Sequence, residues 1–180
     1  MGFRGVLMAK FYVGKGLEDY ITELKKLEDV SDEMIERAVY EGAKIVADEI
    51  RTGINDLNVS HKHGTEEEKV DGITNTQKQG LLDGFGISVM QNDQGYVNVK
   101  LGFDGYNGAK TKKYPNGQPN AMIARSVVSG TSFRKKNDFI SKAVYKNRKK
   151  AEEQLQKQFR RILYEKATFT GRIIAAGDCY

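Results

Sequence analysis

Apolar residues return at three- and four-residue steps along the last third of the chain. Phe139, Ile140, Ala143, Val144, Ala151, Leu155, Phe159, Ile162 and Leu163 fall on one stripe of a helix that opens at Asn137 or Asp138 and runs to Lys166. The same period marks a second helix through Met34, Ile35, Ala38, Val39, Gly42, Ile45, Val46, Ala47 and Ile50. Ser31 is its N-cap, Asp32 and Glu33 suit the positive end of its dipole, and Gly53 ends it. Gly42 inside it either permits close approach of another element or is a tolerated surface glycine, and the second is the preferred reading. Leu17, Tyr20, Ile21, Leu24 and Leu27 mark a shorter helix before it.

The middle of the chain changes period. Ile87 and Val89, then Val97, Val99 and Leu101, alternate with polar residues on either side of Asn92-Asp93-Gln94-Gly95, which predicts a β-hairpin. Thr76 caps a short helix through Leu81 and Leu82 that Gly84 stops, and Met122, Ile123, Ser126 and Val127 predict another before Gly130. The stretch from Gly53 to Lys78 reads as a solvated, mobile loop, Phe103 to Tyr114 as a short strand, and Pro115-Asn116-Gly117-Gln118-Pro119 as a turn. Thr168 to Tyr180 reads as a last strand or a terminal arm.

These elements predict a single α+β domain over residues 17–166, with flexible or partner-ordered arms at 1–16 and 167–180. N-terminal helices precede a central antiparallel β-sheet of three to five strands, and the long C-terminal α-helix packs across that sheet. The expected core is Leu24, Val39, Val46, Ile87, Val89, Val99, Phe139, Val144, Leu155, Phe159 and Ile162.

At 180 residues the chain is too short for two large domains. It has no unbroken apolar run long enough to span a membrane, and Met1 to Gly16 lacks a signal-peptide pattern. Met8 would serve as well as Met1 as an initiator. A lone cysteine, Cys179, fits a reducing compartment. The net charge of +5 hides a split: residues 17–71 hold 16 acidic and 7 basic side chains, residues 134–166 hold 12 basic and 4 acidic. Such a chain can lay its basic part on nucleic acid, or one copy's acidic face on the next copy's basic face.

Candidate chemistry is sparse. His61 and His63 share one loop with Glu66-Glu67-Glu68, but no further ligand stands at a recognised spacing, so no metal and no other cofactor is expected. No nucleophile, base or phosphate-loop motif occurs, and no enzyme is expected. The strongest signal is basic: Arg134, Lys135, Lys136, Lys142, Lys146, Arg148, Lys149, Lys150, Arg160 and Arg161 are the candidate contacts to a neighbouring subunit or to DNA. A solvated helix face accounts for the same residues equally well.

One order of motifs resembles a known family. An apolar segment ending in Ser129-Gly130-Thr131-Ser132, a short loop, then Asp138-Phe139-Ile140-Ser141-Lys142-Ala143 opening a long helix is similar to the tail-component family of long-tailed bacteriophages, also called head-tail joining, neck or tail-completion proteins. The helix from Met34 to Ile50, followed by a loop and a β-meander, fits the same family, and the likeness covers residues 17–166. Family members often carry Pro where Asp138 stands here, and the stretch from His61 to Gly72 is longer and more charged than usual. The resemblance implies a structural virion protein of a siphophage or prophage, made in the host cytoplasm, that joins head to tail as a homo-oligomeric ring, six-fold to match the tail. It implies head-connector, tail-tube or tail-terminator proteins as partners, and DNA passing close by.

Overall fold

The computed structural model describes residues 7–12, 32–93 and 96–177. The helix expected over residues 17–27 with Leu24, the Ser31 cap, and Gln94-Gly95 of the hairpin turn lie outside them. In chain order the elements are β1 (Leu7–Tyr12), α1 (Asp32–Asn55), α2 (Asn75–Gly84), β2 (Phe85–Ile87), β3 (Gln91–Asp93), β4 (Tyr96–Phe103), α3 (Asn120–Ser129) and α4 (Phe139–Gly177).

Every strand pairs antiparallel with β4. On one edge β1 sets Tyr12 opposite Asn98 and Ala9 opposite Leu101. On the other edge β2 sets Phe85 opposite Phe103, and β3 sets Gln91 opposite Asn98. Because β2 and β3 follow one another along the same edge, the sheet is only three strands across, at the narrow end of the expected range. Residues 1–16, expected as an arm, contribute an edge strand through Leu7–Tyr12.

The break between β2 and β3 overturns one core assignment. Ser88 is 3% exposed, its backbone N–H donates to Lys100 O at 2.8 Å, and its hydroxyl accepts from Lys100 N at 2.9 Å. A hydroxyl standing in for a ladder carbonyl shifts the side-chain alternation by one, so Val89, expected inside, is 72% exposed. Between Phe103 and Asn120 no strand forms. Residues 104–119 are a loop tied by Asn107 N to Gln118 O and by Asn120 N to Gly105 O.

Helix α1 is the centre of the core. Ile35, Ala38, Val39, Ala43, Val46, Ala47, Ile50 and Ile54 are all buried, and they meet the Val99, Leu101 and Phe103 face of β4 on one side and α4 on the other. The two helices run antiparallel: Gly42 lies against Leu155, and Gly53 lies against Phe139. A Cβ at Gly42 would stand 2.9 Å from Leu155 Cδ1, and one at Gly53 3.1 Å from Phe139 Cδ2. Gly42 is therefore a contact and not a surface glycine, and Gly53 sits within the helix instead of ending it. The C-terminus of α1 is held by Lys78 of α2, whose ammonium donates to Asn55 O at 2.5 Å and Leu57 O at 3.0 Å. A cation there also complements the negative end of the helix dipole.

Asp138 opens α4 as its cap, its carboxylate accepting from Ser141 N at 3.2 Å. The helix lies mainly along α1, not across the sheet. Its buried face includes Asn147, which fills the gap that the apolar stripe leaves between Val144 and Ala151 and donates to Ala143 O at 3.2 Å. Residues 167–177, where the sequence reading has a strand or an arm, continue α4 as helix. Among the described residues no helix is long and apolar enough to cross a membrane.

The stretch expected as a mobile loop is docked. Leu57 and Ile73 are buried, and isolated parallel bridges join Val59 to Ile73 and Val70 to Arg134. Helix α2 starts one residue pair earlier than expected: Thr74, not Thr76, is the cap, in a capping box with Gln77.

Candidate functional site

The predicted basic residues separate into three groups. Lys142, Lys146, Lys149, Lys150 and Arg160 are exposed along the outer side of α4. At 100° per residue Lys142, Lys149 and Arg160 fall within about 20° of one line, a strip of roughly 27 Å. Arg148 and Arg161 flank it. Four of these seven cations already hold carboxylates: Lys146 with Glu49 at 2.6 Å, Arg148 with Glu152 at 3.0 Å, Lys149 with Glu153 at 4.0 Å and Arg161 with Glu165 at 2.8 Å. Only the first crosses from α4 to α1. The Glu49 carboxyl is held below its usual range, first by the hydrogen bond from Lys146 and against the opposing effect of burial, with smaller help from Asn147 and Lys150. Lys142, Lys150 and Arg160 complete the strip without such pairs among the described residues, and Tyr145, 90% exposed, stands beside it.

Lys135 and Lys136 are exposed on the loop between α3 and α4, but Arg134 is not with them. Val70 N donates to Phe133 O at 3.0 Å and Lys135 N donates to Val70 O at 2.9 Å, which holds residues 133–135 extended. In extended backbone successive side chains point to opposite sides, so Phe133 and Lys135 turn outward and Arg134 turns in. It is 8% exposed. Its Nη1 donates to Ser126 Oγ at 2.6 Å and its Nη2 to Gln77 Oε1 at 3.3 Å, while Nε is buried without a partner. Among the described residues no carboxylate pairs with it, and burial lowers its pKa. Nothing in the run Arg134-Lys135-Lys136 sets the first residue apart; the cross-chain bridge to Val70 does.

Arg134 lines a cavity of about 600 Å³ between the 60–73 stretch, α2 and α3. His61 and His63 lie at its rim, both exposed, and among the described residues no group of three or more His, Cys, Asp or Glu side chains comes together. The helices and sheet thus present a charged outer strip and an inner cationic cavity.

A family model described as "Bacteriophage HK97-gp10, putative tail-component" matches residues 18–154. The chain belongs to this family. That span takes in α1, α2, strands β2 to β4, α3 and the start of α4, with the Ser129 to Ser132 turn and the Asp138 cap among them, and leaves out β1. No curated protein and no solved structure matches the chain. It is thus a phage tail-related structural protein, whose counterparts are other structural proteins of the virion.

Proposed function

We propose that this tail component is a neck or tail-completion protein that joins head to tail as a closed, six-fold ring of identical copies. The observation that carries the reading is the outer face of α4 in a chain of this family. Its basic strip lies on the helix side that α1 leaves uncovered, where it meets the acidic side chains of the next copy. A repeated head-to-tail contact of that kind closes into a ring when its rotation divides the circle. Exposed pairs within one helix, such as Arg148 with Glu152, stabilise the fold little, so exchanging them for contacts between copies costs little.

Electron microscopy of particles from a phage or prophage lacking the gene, with and without the protein supplied in trans, tests this. DNA-filled heads beside separate full-length tails are expected without it, and joined particles with it. Normal joined particles in its absence would remove the protein from the neck.

A second reading rests on Lys142, Lys150 and Arg160, the strip residues outside the ion pairs found among the described residues: a non-specific DNA-binding accessory role. Duplex binding near 100 mM salt, weakening steeply as salt rises, would favour it; no binding under those conditions favours the neck.

A further inference from the structure

We infer that the cavity around Arg134 binds the carboxylate of an acidic side chain presented, among apolar neighbours, by a second polypeptide. A buried guanidinium is costly unless opposite charge and hydrogen bonds compensate it. Among the described residues two neutral acceptors, Ser126 Oγ and Gln77 Oε1, and the Phe133 ring, 5.9 Å from the guanidinium carbon, do so without any opposite charge, and both acceptors have other bonds to rely on. Ser126 Oγ donates to Ile123 O at 2.8 Å, and Gln77 Oε1 also accepts from Thr74 N at 3.3 Å. Neither needs the arginine. Of the five N–H groups of a guanidinium, the Nε–H is left buried and unpaired, and the Thr131 hydroxyl, lining the same cavity, is buried and unpaired as well.

The donor set fits a carboxylate. Arginine's planar fork matches two carboxylate oxygens, and a hydroxyl adds a third contact. The surrounding wall decides the source. Val70, Ile73, Met122, Ile123 and Phe133 make it largely apolar, which suits the flanking side chains of a peptide and gives little to a bare hydrated anion or a DNA backbone. Phe133, 44% exposed at the mouth, offers the first such surface. The site does not depend on the ring, since all of its donors and wall residues lie within one copy.

The test is a titration of the ¹⁵N-labelled full chain, following the Arg134 Nε–H resonance. Acetyl-Leu-Glu-Leu-amide should move it saturably, acetyl-Leu-Gln-Leu-amide should not, and acetate should bind at least about tenfold more weakly than the acidic peptide because it leaves the wall empty. Equal shifts from the Glu and Gln peptides, or none from either, would overturn the site. Tighter binding of inorganic phosphate or of an oligonucleotide than of the peptide would overturn the source. Arg134→Met removes the reporter resonance with its side chain, so calorimetric titration reads that variant: binding of the acidic peptide should be lost, with a melting temperature equal to or above that of the parent chain, since its neighbours keep their bonds; retained binding would overturn the site, and a marked fall in melting temperature would make Arg134 a strut and not a binding group. Arg134→Lys, which keeps the charge and loses the fork, should fold and lose most of the affinity, and undiminished binding would refute the bidentate geometry.

Discussion

Gly80→Ala should destabilise this protein, although alanine in place of a helix-interior glycine ordinarily stabilises by about 1 kcal/mol. A Cβ at Gly80 would lie 2.3 Å from Asn107 Cβ, 2.7 Å from Asn120 Oδ1 and 3.1 Å from Asn107 Cα. Neither neighbour is a loose chain end. Asn107 is 4% exposed and its carboxamide oxygen accepts from Ala109 N at 2.8 Å; Asn120 is 2% exposed and its Nδ2 donates to Asp104 O at 2.8 Å. Relief of the clash means moving the loop after β4 off α2. Overpacking of this kind costs about 1–3 kcal/mol, and weakening one or two buried hydrogen bonds about 1 kcal/mol each. Against a propensity gain of about 1 kcal/mol the net loss is about 2 kcal/mol, a melting temperature lower by roughly 4–8 °C in a chain of this size. Thermal and urea unfolding followed by helical ellipticity measure it directly. Adding Asn107→Gly removes the struck Cβ, so the double variant should lose less than the sum of the two single ones. A melting temperature for Gly80→Ala at or above that of the parent would show that α2 is not pressed against the Asn107 loop, and the reasoning would fail.

Two further outcomes follow from single contacts. Because the Lys146 ammonium holds the Glu49 carboxyl below its usual range, that pair stabilises the fold fully above the unfolded glutamate value of about 4.3 and ceases to do so as pH falls through the lowered folded value. The gap in urea midpoint between the parent and Lys146→Ala should therefore be present at pH 7 and close on acidification below about pH 4; a gap that stays constant would refute the coupling. Thr74→Ala removes one side of the capping box on α2 and should cost about 1 kcal/mol, read as a lower thermal midpoint, whereas Thr76→Ala, one turn position inside the helix, should cost clearly less.

What the sequence displayed most clearly was periodicity that extends over several turns. Both long helices, the β4 strand and the short helix before Gly130 stand where three-and-four and alternate spacings put them, because each must bury one face. Errors arose where a tertiary contact overrode a local signal. Gly53 is a stop signal by itself, but Phe139 needs the space it leaves. Val89 continued an alternation that the Ser88 hydroxyl interrupts. The 60–73 stretch is polar enough to read as solvent, yet Leu57 and Ile73 anchor its ends and Val70 pairs with a loop 64 positions further on, at Arg134. β1 belongs to the same class: it is recognised only by the edge of β4 that it completes. The basic run was visible as charge, but its division into an outer strip and one inward arginine depends on a backbone bridge that no local pattern records.

The acid-base split of the chain gains a narrower meaning from the helix pair. The acidic α1 and the basic α4 meet inside one copy mainly through glycines, alanines and large apolar side chains, with Glu49 and Lys146 as the charge contact between them. Of the other charges on α4, Lys142, Lys150 and Arg160 are exposed and stand outside the ion pairs found among the described residues. Exposed charges of that kind set the speed and salt dependence of encounter more than the lifetime of a complex, whereas a buried, forked arginine acts on the lifetime. The α4 strip and the Arg134 cavity are therefore not two versions of one surface. On the two proposals made above, the strip would steer copies or neighbouring virion proteins together, and the cavity, with its buried guanidinium and apolar wall residues, would hold the segment that brings it an acid.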